Sequence, residues 1–580
     1  MSREKILCTL GKFDIPIIQV QPSFIVDMLD SNLILFGSAM SGKTTFIKTL
    51  VNILHKRYDE YQEQIFILDF GGALSEYRQM PLVSAYFDNS NEEYVKRVFK
   101  IMDNILKENI KKLSGKNYRE ASENQPIHTT FIIDNINSFI DESRYAAYHE
   151  KLAKLCRDGL SKGITIVVTA GETKGLNSYM GSFKQKIAFE MPPDKYVDIF
   201  NGKVDAIANN PGHGFANVTV KPTGITGTFR MNLPYEVQCF KAQALNEIEK
   251  IDKKDKSIPF QPALRKKFSF DEDTGEYGRH VKKYLTFPKE LTRENYEILK
   301  QEPETEEQSK LAVKVGLDYV DFCPVTVDLG KSHVIAIYGK KEFGKTNLLN
   351  LLIDGMVEQK KDIRLVFFDD GRNQLSGIYE KYEADRDCVI INKFDKKDLP
   401  LKDGTSVNRK LSPLQQFYLY LNENYMELDK KFLAGMYGVS ENLKKEYENI
   451  PDCSAEETPF TVFIIQSKLI YLNTPEGKRF INSILPQLVA VAEEREFVFI
   501  FSDVQKISDG EQNSFFNNNI STAFLLDNVA EFAGERGQKT IFGNMDIKAL
   551  KEDYARCELG DGYCYDIEAD RLVKLKFIKY

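Results

Sequence analysis

Residues 31–50 read SNLILFGSAMSGKTTFIKTL, and this stretch decides the fold. Asn32–Phe36 is an apolar run of strand length. Gly37 to Gly42 can turn tightly, and from Lys43 onward apolar residues recur at helical spacing. An apolar run, a glycine turn and an amphipathic helix, in that order, make the βα start of a parallel sheet. Within the turn, Gly37-Ser38-Ala39-Met40-Ser41-Gly42-Lys43-Thr44 completes the pattern G-x-x-x-x-G-K-[ST]. Such a turn aims successive backbone N–H groups at one point, and the following helix adds the positive end of its dipole. The sequence therefore predicts a phosphate cradle. Lys43 is expected to reach the β and γ phosphates of ATP, and Thr44 to ligate Mg²⁺ through its hydroxyl, with Thr45 beside them in the nucleotide-binding set.

The arrangement recurs at 332–356, SHVIAIYGKKEFGKTNLLNLLIDGM. Val334–Tyr338 is the expected strand and Thr346 onward the expected helix. Gly339-Lys340-Lys341-Glu342-Phe343-Gly344-Lys345-Thr346 meets the same pattern, with Asn347 following and Lys345 and Thr346 in the lysine and Mg²⁺ roles. Glu342 and Phe343 set a negative charge and a ring beside this second cradle. A carboxylate there weakens phosphate binding unless it faces away.

Further landmarks repeat downstream. IFILDFGGALSEY (65–77) answers RLVFFDDGRNQL (364–375), and FIIDNINSFI (131–140) answers VFIIQSKLIYL (462–472). GITIVVTAG (163–171) corresponds to EFVFIFSDV (496–504), and PGHGFA (211–216) to LGDGYC (559–564). The intervals Lys43–Asp69 and Lys345–Asp369 differ by only two residues. Landmarks recurring in the same order, with intervals such as these nearly equal, indicate a duplicated α/β domain. The expected division is 1–245 for the first domain, 246–310 for a charged connecting segment and 311–580 for the second domain. A helical insertion is expected at about 405–458.

The 580 residues are 42% hydrophobic and 28% charged, with a net charge of −7. That balance suits packed globular domains and argues against a chain whose main business is gripping a nucleic-acid backbone. Eight cysteines are scattered without a C-x-x-C pair, which reads as reduced thiols rather than a zinc site. The opening MSREKILCTLGKFD lacks the apolar core of a signal peptide, and no run approaches the roughly 20 apolar residues of a membrane helix. A soluble chain is expected.

Hydrolysis needs more than a cradle. Phe131-Ile132-Ile133-Asp134 ends in the acid suited to hold the Mg²⁺ shell, but the next residue is Asn135, which cannot accept a proton from water. Asp141 and Glu142 are substitutes or plain loop charges. In the second copy Phe463-Ile464-Ile465 ends in Gln466-Ser467, and Asp503 closes the next strand. Losing a base costs about 10²–10⁴ in rate. Binding of ATP is therefore expected to exceed its turnover, which should be weak or latent. Arg157 and Arg495, each just before an apolar strand, are candidates for an arginine finger acting in trans; their plain reading is a surface salt bridge.

These landmarks resemble the FtsK/SpoIIIE branch of hexameric RecA-like motor ATPases. The motif Arg157-x-Gly159-x-x-x-Gly163-Ile164-Thr165, ending in Thr169-Ala170-Gly171, is similar to that family's G-I-H-hydrophobic-A-T-Q loop. Tandem, partly degenerate copies resemble the C-terminal ATPase domains of type VII secretion ATPases of the EssC/YukB/EccC type, as do the lead-in segments LGKFDIPIIQVQ and GLDYVDFCPVTVDL. The resemblance implies two tandem RecA-like P-loop NTPase domains, each a mostly parallel sheet flanked by helices, in the cytoplasmic portion of a membrane-anchored motor. It implies secreted WXG-type helical-hairpin proteins or their C-terminal signals as partners, other secretion components, and a homo-hexamer in the full-length context. A DNA translocase of the same branch and an ATP-stabilised scaffold are the alternatives. The acidic balance and the missing carboxylates speak against the translocase. No L-S-G-G-Q-like segment supports an ABC-type ATPase.

Overall fold

The computed structural model describes residues 4–89, 92–121, 124–202, 204, 210–222, 230–241, 270–271, 276–277, 280–301, 311–360, 362–369, 375–384, 386–400, 406–429, 432–433, 435, 459–466, 474–503, 519–527, 557–566 and 570–580. The chain divides into two compact units, Met1–Thr286 and Phe287–Tyr580.

The first unit is built on one sheet of β1 (Leu7–Asp14), β2 (Ser23–Asp27), β3 (Leu33–Phe36), β4 (Glu63–Asp69), β5 (Val83–Asp88), β6 (His128–Asp134), β7 (Ile164–Ala170), β8 (Gln185–Phe189), β9 (His213–Asn217) and β10 (Pro234–Cys239). Their order is β2-β1-β10-β9-β8-β3-β7-β6-β4-β5. From β8 to β5 all pairs are parallel; the other four strands extend the sheet antiparallel. Parallel strands covered on both faces read as continuous apolar runs, which explains why every residue of Leu33–Phe36 and Ile164–Ala170 is buried. Alternation then sorts the side chains. Leu33 and Leu35 join the core under the helix Lys43–Arg57, with Leu50 and Leu54. Ile34 and Phe36 join the opposite core with Phe99 of the helix Glu92–Leu113 and Leu152 of the helix Ala146–Asp158. Strand β3 begins one residue later than the sequence suggests. Asn32 is spent outside the strand, its amide donating to Cys156 O at 2.8 Å and its oxygen accepting from Ile166 N at 2.8 Å.

A short pair, β11 (Phe270–Asp271) with β12 (Glu276–Tyr277), follows. The second unit then repeats the plan with β13 (Ala312–Asp318), β14 (Pro324–Asp328), β15 (Val334–Gly339), β16 (Ile363–Phe368), β17 (Asp387–Ile391), a separate hairpin of β18 (Asp395–Pro400) and β19 (Ser406–Leu411), β20 (Phe460–Gln466), β21 (Phe497–Asp503), β22 (Thr522–Leu526), β23 (Asp561–Asp566) and β24 (Arg571–Phe577). The sheet order is β14-β13-β24-β23-β22-β15-β21-β20-β16-β17, strand for strand that of the first unit. Duplication therefore extends to all four antiparallel strands, of which the landmarks had reached only β9 and β23.

Of the stretch expected to add helices, Ser406–Leu411 is strand β19 and Pro413–Asn424 is helix. That helix opens on a reciprocal capping box of Ser412 and Gln415, with Pro413 at its first position. Residues 436–458 lie outside the described residues. Within the expected connecting segment, Val281 belongs to the first unit's core, while Tyr296 and Leu299 of the helix Arg293–Leu299 belong to the second's.

Candidate functional site

Strand β3 is hydrogen-bonded to β7 on one side and β8 on the other, so the loop after it opens at the switch point of the parallel sheet. Ligands of open α/β sheets bind there, outside the carboxyl ends of the strands. The loop has Met40 at φ 62° and Gly42 at φ 105°, and such left-handed residues turn backbone N–H groups into a concave nest. Gly42 admits no side chain: a Cβ would lie 2.7 Å from Gly212 N. Gly212 belongs to the landmark Pro211–Gly214, which docks on the loop by donating its N–H to Ser41 O at 2.8 Å.

Lys43 opens the helix, and its Nζ donates to the carbonyls of Gly37 (2.6 Å) and Ser38 (2.8 Å). Burial holds its pKa below the ordinary lysine value, opposed by the charge of Asp134. Asp134, 5% exposed at the end of β6, is pushed up by burial; the Thr169 hydrogen bond counters this, Asp69 reinforces it and Lys43 counters it. Asp69 ends the adjacent strand in register with Asp134. Its carboxylate accepts from Gly71 N (2.9 Å), Gly72 N (2.7 Å), Leu74 N (2.8 Å) and the Tyr86 hydroxyl (2.9 Å). Asp69 thus pins the 70–74 loop, and a Cβ on Gly71 would lie 2.9 Å from Asp134 Oδ2. Sequence reasoning used Asp69 only as a landmark. The signal for its role was an aspartate at a strand end with Gly-Gly two and three residues on (Asp69-Phe70-Gly71-Gly72), the pattern of a side chain that caps its own turn.

The second unit reproduces the cradle. Glu342 (φ 68°) and Gly344 (φ 98°) repeat the left-handed positions, and Lys345 Nζ donates to Gly339 O (2.7 Å) and Lys340 O (2.9 Å). The Glu342 side chain is 85% exposed, beside Lys341 at 3.9 Å, so it faces solvent rather than the loop's interior. Phe343 packs on the core. Asp369 keeps the pin of Asp69, accepting from Leu375 N at 3.0 Å. Where the first unit has Asp134 and Thr169, the second pairs buried Gln466 with Ser502, whose Oγ has no hydrogen-bond partner among the described residues. Asp503 ends β21, in register with Tyr338.

No protein-family model matches the sequence. It is 22% identical over 404 residues to the type VII secretion system protein EssC of Staphylococcus aureus strain MRSA252, covering 67% of this chain and 26% of that protein. It is 24% identical over 364 residues to the ESX secretion system protein EccC of Geobacillus thermodenitrificans, covering 61% and 23%. Among solved structures, EssC ATPases 2 and 3 from Geobacillus thermodenitrificans match across 100% of this chain and 97% of that one, with TM-score 0.58 and 18% identity. The chain resembles the tandem ATPases of EssC and EccC. It spans about a quarter of the length of the curated EssC and EccC proteins it matches. No helix among the described residues is long and apolar enough to cross a membrane.

Within this EssC-like frame the remaining candidates separate by position. Thr44 and Thr346 lie in the first turns of their helices, next to the lysines. Thr45 is exposed, and its carbonyl accepts from the Thr49 hydroxyl at 2.9 Å. Asn347 is engaged elsewhere, donating to Ile578 O (2.8 Å) and accepting from Tyr580 N (2.7 Å). Asn135 gives its amide to Ser138 Oγ at 2.7 Å. Asp141 is exposed, and Glu142 pairs with Arg144. Arg157 lies in the last turn of the helix Ala146–Asp158, before the amino end of β7 and so away from the cradle at the carboxyl ends, and pairs with Asp158 at 3.0 Å. Arg495 precedes β21 in the same way and donates to Tyr425 O at 2.9 Å.

The first site's donor set fits ATP with Mg²⁺. It combines a left-handed backbone cradle whose Gly42 leaves no room for a Cβ, a lysine, a buried carboxylate, and Ser41 Oγ, buried without a hydrogen-bond partner among the described residues. The second fits phosphates, but where the first unit has Asp134 it offers the amide of Gln466.

Proposed function

We propose that this chain is the ATP-binding portion of a type VII protein-secretion motor, with an ATP–Mg²⁺ site in the first unit and a metal-poor site in the second. Lys43 and the loop amides hold the β and γ phosphates, while Thr44 and Asp134 hold Mg²⁺, which neutralises phosphate charge when bound. In the second unit Lys345 and the loop amides bind phosphate, with Thr346 as the metal-side hydroxyl. Turnover is weak, because Asn135 cannot accept a proton and its amide is committed to Ser138. Arg157 serves a neighbouring copy's site in trans, consistent with its exposed place away from its own cradle.

Support for the transport role comes from the EssC and EccC relatives, and the structure of Thermomonospora curvata EccC ATPases 2 and 3 is of a complex with a signal sequence peptide (TM-score 0.55, 15% identity). By extension, this chain's partners are secreted WXG-type proteins or their C-terminal signals, with other secretion components, around an assembly anchored at the membrane. The observation that carries the reading is the buried Asp134 sharing an electrostatic environment with Lys43 at one cradle, against Gln466 at the other.

The test is calorimetric titration of the full chain with ATP–Mg²⁺, alongside Lys43→Ala and Lys345→Ala. Loss of the tighter, Mg²⁺-dependent event in the first variant and of a weaker event in the second supports the reading. An unaltered titration in Lys43→Ala sinks it.

A further inference from the structure

Hairpin β18–β19 has no counterpart in the first unit and pairs with no other strand among the described residues. Lys393–Asp398, Ser406 and Asn408–Lys410 are all exposed, so the ribbon meets solvent on both faces. A two-stranded ribbon of this kind is only marginally stable alone. Its register sets Lys396 opposite Lys410 and Lys397 opposite Arg409. Successive residues of a strand point to opposite faces, so each face carries one pair of facing cations, an arrangement that opposes pairing. The nearby acids offset only Lys397. Asp395 lies 3.5 Å from it and also accepts from Lys396 N, Glu423 interacts with its charge, and Asp398 accepts the Asn408 amide at 2.7 Å. Lys396, Arg409 and Lys410 have no acidic partner among the described residues; Lys410 instead lies 5.5 Å from the ring of exposed Phe394.

We propose that this hairpin captures an extended, acidic segment of a partner protein, which adds to the ribbon as a third strand. An added strand sends successive side chains to alternate faces. A run of consecutive acidic residues would therefore meet Lys396 and Lys410 on one face and Lys397 and Arg409 on the other, relieving both repulsive pairs. A lipid surface could meet only one face of the ribbon at a time. Main-chain pairing to the open edge supplies affinity, and the cations supply selectivity. The inference is independent of the nucleotide reading.

The probe is a fluorescein-labelled peptide of consecutive glutamates, titrated with the full chain by fluorescence anisotropy. Binding is expected, weakening as salt is raised. Exchange of Lys396, Lys397, Arg409 and Lys410 for Glu should cut affinity about tenfold or more, the loss expected when several exposed charge pairs vanish together. The exchanged chain should then take up an oligo-lysine peptide, which shows that its ribbon still forms. A Glu-Pro-Pro repeat peptide with the same number of glutamates loses two thirds of its N–H donors whichever side of the strand faces the ribbon, and should bind about fivefold or more weakly. Undiminished binding by the exchanged chain, equal affinity for the Glu-Pro-Pro peptide, or preferential capture of phosphatidylserine vesicles or duplex DNA through the same four cations overturns the proposal.

Discussion

The hydroxyl of Thr169, on β7, donates to Asp134 Oδ1 at 2.5 Å and at the same time accepts the Asn135 N–H at 2.8 Å. One side chain thus holds both the Asp134 carboxylate and the backbone after it. Thr169→Val keeps the shape but leaves the buried Asp134 carboxylate and the half-buried Asn135 N–H without this partner, an expected loss of about 1–3 kcal/mol in denaturant unfolding. It also removes a bond that favours the charged carboxylate, raising Asp134's pKa further. Since Mg²⁺ needs the deprotonated form, ATP–Mg²⁺ affinity should fall off at higher pH in the variant than in the parent chain. Coincident affinity–pH curves would refute the assignment.

Asp134 itself trades stability for binding. Burial raises its folded pKa above the unfolded value, so the nucleotide-free fold takes up the proton more readily. This group therefore favours folding below the unfolded value, and that contribution is lost as pH rises through the folded pKa. Asp134→Asn should stabilise the nucleotide-free chain at neutral pH by about 1 kcal/mol, the scale of a typical substitution, with the gain vanishing in acid. The same variant should lose Mg²⁺-dependent ATP affinity. Thermal unfolding at several pH values, with and without ATP–Mg²⁺, reads both effects; a variant less stable than its parent at neutral pH contradicts the account.

In the second unit the missing piece is one carboxylate. Gln466→Asp places it at the end of β20, where Ser502 offers a hydroxyl with no hydrogen-bond partner among the described residues. In a Lys43→Ala background, so that only the second cradle is read, Mg²⁺-dependent ATP affinity is expected to rise about tenfold, or about 1.4 kcal/mol. If calorimetry finds no Mg²⁺-dependent gain, Gln466 is not what limits this site.

The two cradles were legible because every part of the signal is local: strand, turn and helix run consecutively through Gly37–Thr44 and Gly339–Thr346. Less legible were features created by distant partners. Pro211–Gly214 looked like a repeat marker, and only folding brings Gly212 against Gly42. Asp69 looked like a strand end, yet its carboxylate organises the loop beside Asp134. The risk attached to Glu342 disappears because its left-handed backbone sits at the rim and its side chain points to solvent, a matter of orientation that composition does not encode. Ser406–Leu411 was absorbed into an expected helical insertion because the strong periodicity of the following helix dominated the stretch; its pairing with Asp395–Pro400 makes it strand.

His55 gives the fold a defined acid limit. Its Nε2 accepts the Leu82 N–H at 3.0 Å, so in the neutral ring the proton sits on Nδ1 and is donated to Val51 O at 2.9 Å. A second proton on Nε2 would confront a donor. Burial drives the pKa from 6.5 down to about 4, partly opposed by the Val51 bond and reinforced by Lys283. Between those values the unfolded chain binds a proton that the folded chain refuses, so stability present above pH 6.5 is lost as pH falls toward 4. The gap is worth about 3 kcal/mol at full extent. In His55→Asn this acid-sensitive component should be absent, leaving a flatter profile of unfolding free energy against pH across that window. Parallel profiles for variant and parent would show that another group sets the acid limit.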